Sequence, residues 1–181
     1  MRSDRLRAMV VSAVMAALAL TLPMVFHAAG LGSKFLPMLL PLLLNAFLVP
    51  WPWAVLTGAA VPWISAFTTG MPPLYPPVAM IMSCEAAVMA AVAAFTYRAT
   101  RPRVWPALIL AILADRATSF ALTWWLAGRF GLPAALASWG TLAQSLPGVA
   151  MQLVVVPVVV RTLTRRPSIL FRHEHQAPTL Q

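Results

Sequence analysis

Three ionisable residues interrupt long apolar segments of this sequence: Glu85, Asp115 and Arg116. A charged side chain at the centre of a membrane helix costs about 2.5–3.5 kcal/mol on insertion scales, so such residues are candidates for a functional site. A contact between Glu85 and Arg116 or Asp115 would fix the packing of two neighbouring helices. The same groups could instead form a polar floor that orients a bound solute. Two acids and one base leave an unbalanced charge, and this imbalance favours a cavity beside them.

Other polar or aromatic residues fall inside the same apolar segments. Asn45 and Gln152 would each form a hydrogen bond between helices, worth about 0.6–2 kcal/mol, or contact a solute. The interhelical role is the favoured interpretation for both. Trp124 and Trp125 are adjacent, so they point in different directions around a helix, and one of them can form an aromatic wall for a flat ligand. The predicted substrate-binding residues are Glu85, Arg116, Asp115, Asn45, Trp124 and Gln152.

The elements that carry these residues are predicted to be membrane-spanning helices. Hydrophobic residues make up 61% of the 181-residue chain and charged residues 9%, whereas a soluble domain carries roughly a quarter charged residues. A span needs about 20 mostly apolar residues. The predicted fold class is therefore all-α, a polytopic bundle of about six transmembrane helices. The predicted membrane domain covers residues 1–164, and a polar cytoplasmic tail follows at 165–181. The predicted spans are Leu6 to His27, Phe35 to Val49, Trp53 to Thr68, Pro77 to Tyr97, Val104 to Arg129 and Trp139 to Leu163.

The charge pattern predicts the orientation of these spans. The chain carries 13 Lys and Arg against 4 Asp and Glu, a formal charge of +9. The arginines cluster between alternate apolar segments, which is typical of membrane topology and not of nucleic-acid binding. The positive-inside rule therefore predicts that both termini are cytoplasmic. The side opposite to the termini receives only Lys34 and Arg129. The side of the termini receives ten arginines: Arg2, Arg5, Arg7, Arg98, Arg101, Arg103, Arg161, Arg165, Arg166 and Arg172.

A proline-rich loop at 69–77 is predicted on the outer side. Its four prolines stiffen the backbone and remove hydrogen-bond donors. The loop is either a shaped wall over a site or a stiff connector. Its first five residues form the predicted outer gate: Thr69, Gly70, Met71, Pro72 and Pro73.

The first predicted helix carries small residues at four-residue spacing. Ser12 and Ala16 form one pair, and Ala13 and Ala17 form another. Such pairs allow another helix to approach closely, either within the bundle or from a partner protein.

Conventional enzyme motifs are not found in the sequence. It contains no nucleotide-binding glycine loop, no zinc-ligand spacing and no serine–histidine–acid set within reach. We therefore predict no catalytic residue, no metal site and no cofactor, and ATP-driven transport would need partner proteins.

Three segments in the middle of the sequence follow one another in a distinctive order: Phe35 to Leu44, Thr69 to Pro73 and Met80 to Glu85. Their order and spacing resemble those of the substrate-binding (S) components of energy-coupling factor (ECF) vitamin transporters. The later segment from Leu146 to Gln152, with Pro157 beyond it, is similar to the last helix of the group. The sequence departs from many relatives at Leu39, where they carry histidine, and at Asn45, where a small residue is usual.

The resemblance implies a subunit in the bacterial cell membrane that captures a vitamin-like micronutrient from outside. It also implies a membrane T subunit and two cytoplasmic ATPases as partners. In the family, alanines of the first helix dock the T subunit, which assigns this role to Ala13 and Ala17, with Ser12 and Ala16 beside them. Glu85 and Arg116 correspond to the family's acidic and basic positions in the fourth and fifth helices.

Other functions are compatible with the same composition. One alternative is a structural membrane protein of cell-wall elongation, which would not require a proline-rich loop over intramembrane charges. Another is a stand-alone proton-coupled transporter that uses Asp115 or Glu85 and does not depend on ATP. An intramembrane enzyme is the least favoured alternative.

Overall fold

The computed structural model describes residues 2–30, 35–75, 77–100, 103–130, 143 and 145–164. Within these ranges the chain folds into helices and contains no strand. Four helices are long and apolar enough to cross a membrane, and the ten-residue helix Leu39–Leu48 is a shorter apolar element. The prediction of an all-α polytopic membrane bundle is therefore confirmed. The helices are α1 (Arg2–Ala28), α2 (Leu39–Leu48), α3 (Trp51–Thr69), α4 (Val78–Ala99), α5 (Val104–Phe130) and α6 (Leu146–Thr164).

Large apolar side chains cover the outside of the bundle. Phe67 is 72% exposed, Trp124 71% and Val154 66%. These side chains lie on three different helices, and a soluble protein does not expose apolar surface in this way on all sides. The exposed surface is therefore the surface that contacts lipid.

Prolines influence where α2 and α3 begin. The second span was predicted from Phe35, but α2 begins only at Leu39. Pro37 has no backbone N–H and disfavours helical geometry in the residue before it, and Leu36 has a left-handed backbone with φ 49°. In contrast, α3 begins at Trp51 with Pro52 in its first turn, where a missing N–H costs no hydrogen bond.

Two predicted regions cannot be compared with the structure. The sixth span was predicted from Trp139, which lies outside the described residues, and the described part of this span is α6. The predicted polar tail at 165–181 also lies outside them.

The short helix α2 lies at the centre of the bundle. It packs against α1, α3, α4 and α6, and Leu39, Leu42 and Leu43 are almost fully buried. A helix that is apolar on all sides is expected to be enclosed by other elements. Its position explains how ten residues remain in a membrane: other helices, and not lipid, cover both of its ends.

The helices α3 and α4 pack closely at one point. A Cβ atom added to Gly58 would lie 2.8 Å from the backbone oxygen of Ala86. Nearby, the Ser83 hydroxyl donates a 2.6 Å hydrogen bond to the carbonyl oxygen of Ala59. A glycine and a serine therefore hold the two backbones together, as small and hydroxylated residues do between membrane helices.

The two ends of the bundle differ in charge. Arg98, in the last turn of α4, donates a 3.1 Å hydrogen bond to the carbonyl oxygen of Val49, which follows α2. This end, which also carries Arg103 before α5, is called the arginine end. The opposite end, called the loop end, contains the loop after α3 and the end of α1 at His27.

Candidate functional site

A cavity of about 540 Å³ opens at the loop end of the bundle. Its walls come from the second half of α1, the turn before α2, the end of α3, the following loop and one residue of α4. This size is typical of small-molecule sites, which are mostly apolar with a few polar groups. The lining residues are Leu20, Pro23, Met24, His27, Leu36, Pro37, Met38, Leu39, Ser65, Thr69, Met71, Pro72, Pro73 and Met82.

The loop that borders this cavity is tied to α3 by side-chain hydrogen bonds. The buried Ser65 hydroxyl donates a 2.6 Å bond to the carbonyl oxygen of Met71, and the Thr69 hydroxyl donates a 2.8 Å bond to the carbonyl oxygen of Ser65. Gly70 ends α3 with a left-handed backbone, φ 73°, which glycine adopts without steric cost. The N–H of Ala79 at the start of α4 bonds to the carbonyl oxygen of Pro73 at 3.2 Å. The loop is therefore attached at both ends.

Of the five residues in the predicted outer gate, four line the cavity: Thr69, Met71, Pro72 and Pro73. Gly70 does not line it and instead sets the direction of the chain as α3 ends. The loop is thus a wall of the cavity, and its gating role stays a prediction.

The three intramembrane charges lie together in a different part of the bundle. Arg116 pairs with its chain neighbour Asp115, and its Nε lies 3.0 Å from Asp115 Oδ2. The Arg116 Nη1 donates a 3.3 Å hydrogen bond to the hydroxyl of Ser145, just before α6. On α4, Glu85 lies within electrostatic range of Asp115 and Arg116 and within hydrogen-bonding reach of Ser119. We call Glu85, Asp115, Arg116, Ser119 and Ser145 the charged cluster. It links α4, α5 and the start of α6.

The salt bridge of Arg116 differs from one that the sequence suggested. The sequence suggested a contact across two helices, from Glu85 to Arg116 or Asp115. In the structure the direct salt bridge of Arg116 is to Asp115, in the same helix. Sequence neighbours in a helix can make this contact because the long arginine side chain bends back to the carboxylate. Glu85 faces this pair across the helix contact.

Two buried polar atoms in the described part of the chain have no hydrogen-bond partner: Asp115 Oδ1 and Gln152 Nε2. Both Arg116 nitrogens that bond Asp115 use its other oxygen. Asp115 and Gln152 are 1% and 2% exposed, on the neighbouring helices α5 and α6. The Asp115 oxygen is an acceptor and the Gln152 nitrogen is a donor, so the described interior of the bundle retains unused hydrogen-bonding capacity of both kinds.

Asn45 is fully buried in α2. Its side chain and the Ser12 hydroxyl are joined by hydrogen bonds of 3.4 Å, so α2 and α1 are linked through polar groups. Ser12 thus turns into the bundle. Ala16, on the same face, is half-buried, whereas Ala13 and Ala17 are exposed. The two small-residue pairs of α1 therefore lie on different faces.

The predicted substrate-binding residues do not line the loop-end cavity. Trp124 points outward, and Glu85 lies three residues beyond the lining residue Met82, hence about one helical turn deeper. The cavity and the charged cluster are therefore neighbouring but separate features. The residues in question are Glu85, Arg116, Asp115, Asn45, Trp124 and Gln152.

Several cavity residues were not found by sequence reasoning. Ser65 and Met82 lie in apolar helices, and Leu20, Pro23 and Met24 lie in a helix noted only for its small residues. Their types are common in membrane helices, so composition gives no signal for them. The available signal was geometric: residues near the loop-end boundary of each span lie at the same depth as the proline-rich loop.

A helical membrane protein with a largely apolar cavity at one end, closed on one side by an attached loop, has the architecture of a membrane protein that binds small molecules. The family model described as ECF transporter, substrate-specific component, matches residues 7–160. The chain therefore belongs to this family, a transport component and not a family of enzymes. No curated protein and no solved structure matches the chain.

Proposed function

We propose that this protein captures a vitamin-like small molecule from the outer side of a bacterial cell membrane and delivers it for ATP-driven uptake. The observation that carries the proposal is the loop-end cavity of about 540 Å³ in a chain of the substrate-specific family. Its wall from Met71 to Pro73 is attached to α3 through Ser65. A preformed wall lowers the ordering cost of ligand binding.

The uptake step requires partners, and the family supports a T subunit with two ATPases. In α1, Ala13 and Ala17 are exposed beside large apolar residues such as Met9 and Val14. Small exposed residues at four-residue spacing suit a close helix contact. We assign T-subunit docking to this face, with Ala16 at its edge. Ser12 contributes from the opposite side by holding α1 against Asn45.

The arginine end is proposed to face the cytoplasm, so that the cavity opens outward. The support is the distribution of basic residues: Arg98 and Arg103 lie at this end, and the loop after α3 contains none. Reporter fusions after Thr100 and within the loop at 70–75 test the orientation. A cytoplasmic signal from the loop fusion would reverse it.

The charged cluster is proposed to brace α4 against α5 and α6. Within it, Arg116 bonds Asp115 and Ser145, and Glu85 lies within hydrogen-bonding reach of Ser119. A substrate contact by Glu85, Asp115 or Arg116 remains a prediction for a solute that extends deeper than Met82.

Native mass spectrometry of the detergent-purified chain tests the proposed function. We expect a retained small molecule, or thermal stabilisation by at least one compound from a panel of vitamins and precursors. Met82→Trp fills the cavity and should abolish ligand retention and stabilisation. Ala121→Trp adds the same side chain to an exposed site on α5 and should preserve both.

A chain that binds nothing in either assay would instead favour a structural membrane protein. Uptake that persists without ATPases would favour the proton-coupled transporter.

A further inference from the structure

The lining of the loop-end cavity carries little charge. Among its described residues there is no Asp, Glu, Lys or Arg, and His27 at the rim is the one ionisable side chain. The hydroxyls of Ser65 and Thr69 are engaged with backbone carbonyl oxygens. A ligand that enters this cavity therefore meets few groups that can balance an ionic charge.

In the described part of the chain, the intramembrane charges lie in the charged cluster and not in the cavity lining. Arg116 is bonded to Asp115 and Ser145, and neither Arg116 nor Asp115 lines the cavity. An anionic ligand would thus have to break an existing ion pair to obtain a cation from the charged cluster. Burying an ion without a partner carries a desolvation penalty that a neutral ligand does not incur.

Methionines form a large part of the cavity wall. Met24, Met38, Met71 and Met82 come from four different segments of the chain and line the same space. Thioether side chains are polarisable and adapt to irregular shapes, and sulfur makes favourable contacts with aromatic rings. Methionines converging from four segments suit the faces and edges of a planar ring.

From these observations we propose that the loop-end cavity selects an uncharged small molecule with an aromatic or heteroaromatic ring and excludes its carboxylated or phosphorylated forms. The inference deepens the proposed function and rests on it, because it names the chemical class of the captured solute. Among the described lining side chains, His27 can form hydrogen bonds to polar ring substituents, and the oxygen of Ser65, whose proton is used by the Met71 carbonyl, can accept one.

The test combines identification of the retained molecule with matched neutral and anionic probes. Native mass spectrometry followed by extraction and fragmentation, with comparison to an authentic standard, identifies any retained ligand, and its functional groups then give its charge at neutral pH. In parallel, thermal shifts are measured with riboflavin and its phosphate, pyridoxal and pyridoxal phosphate, and nicotinamide and nicotinate. We expect an uncharged ring compound in the extract or stabilisation by the neutral member of a pair. Retention of a charged compound, or preference for the anionic member, would overturn the inference while leaving solute capture intact. No ligand in either assay would overturn solute capture itself.

Sulfur contacts are tested with volume-conserving variants. Met38→Leu changes a buried lining residue, and we expect about two- to tenfold weaker binding of the ring compound that the first test identifies. Met89→Leu changes a buried methionine of α4 that does not line the cavity, and it should leave the affinity unchanged. Equal affinities in both variants would contradict the ring-binding role of the methionines.

Charge compensation from outside the described lining is tested with two further variants. Lys34 lies outside the described residues, and Lys34→Gln tests whether its charge is needed for ligand binding. Glu85→Gln tests the same for a charge of the charged cluster. Ligand binding by each variant is compared with that of the unmodified chain. We expect both variants to bind the ligand as the unmodified chain does. Loss of binding in either, with unchanged thermal stability of the ligand-free protein, would show that an ionic partner is required and would overturn the inference.

Discussion

The Oγ of Ser65 lies 2.6 Å from the carbonyl oxygen of Met71, and this hydrogen bond ties the loop after α3 to the buried face of that helix. Ser65 also lines the cavity. A single hydroxyl therefore positions one wall of the site and borders the space that the ligand would occupy. Its removal should affect binding more than folding.

Ser65→Ala is expected to weaken ligand binding because the loop loses an attachment worth about 0.5–1.5 kcal/mol. Isothermal titration or thermal-shift titration with the identified ligand measures the effect. The control is Thr68→Val, since the Thr68 hydroxyl bonds only within its own helix. If Thr68→Val weakens binding as much as Ser65→Ala, the attachment of the loop is not the cause.

Gly58→Ala is expected to destabilise the bundle. The added methyl group would lie 2.8 Å from the backbone oxygen of Ala86, so α3 and α4 must separate, and such overpacking costs about 1–3 kcal/mol. Gly128→Ala is the matched control, because its Cβ would meet nothing within 4 Å and alanine favours the helix by about 1 kcal/mol. Thermal denaturation in detergent compares the two variants, and equal stability would show that α3 and α4 do not need this close approach.

Arg116→Gln is expected to destabilise the protein by up to about 3–5 kcal/mol, because it leaves the carboxylate of Asp115 buried without its cation. The double variant Asp115→Asn/Arg116→Gln removes both charges and should recover part of the loss. A double-mutant cycle should give a coupling energy of about 0.5–3 kcal/mol. Arg129→Gln, on the same helix, removes an exposed contact with Trp125 and should cost only about 0.5–1 kcal/mol. Strict additivity in the cycle would show that the pair is not coupled.

Glu85→Gln separates bracing from substrate contact. Glu85 lies one turn deeper than the cavity residue Met82 and faces α5, so we expect the variant to retain ligand affinity while its thermal stability changes. Gln keeps the size of Glu and can still bond Ser119. Loss of ligand at unchanged stability would instead assign Glu85 to the substrate-binding residues.

Ala13→Trp and Ala17→Trp are expected to block partner docking without loss of ligand binding. Both positions are exposed on α1 and do not line the cavity. Co-purification with a co-expressed T subunit and uptake in cells measure docking, and native mass spectrometry measures ligand binding. Ala121→Trp on α5 serves as the control for an added indole at a lipid-exposed site. Normal uptake in both α1 variants would move the docking surface to another helix.

Composition and periodicity predict much of the fold in this case. The apolar segments predict the helices because a chain in lipid must satisfy every backbone polar group internally. The start of α2 was predicted less accurately. The apolar run begins at Phe35, but Pro37 disfavours helical geometry in the residue before it, so the helix begins only at Leu39. The central position of α2 was also not predictable, because an apolar run with one asparagine gives no indication of which helices surround it.

The candidate site was predicted only in part. The proline-rich loop was recognised from composition, and four of its five named residues line the cavity. The intramembrane charges were recognised from their cost in lipid, and the structure brings Glu85, Asp115 and Arg116 together. A cavity was expected beside the intramembrane charges, which do not line the one found. Its lining was missed because apolar residues such as Leu20 and Met24 are of the same types as residues that face lipid.

The sequence by itself determined that this protein is a helical membrane bundle, which residues carry charge inside it, and which loop is stiff. These properties depend on residue type and on local periodicity, since lipid imposes the same requirements on every segment. Only the tertiary structure decided that Arg116 pairs with Asp115, that Ser65 holds the loop, and that the charged cluster lies apart from the cavity. These relationships depend on which faces of the helices meet, and helix contacts in a membrane are set by packing between side chains that are distant in sequence.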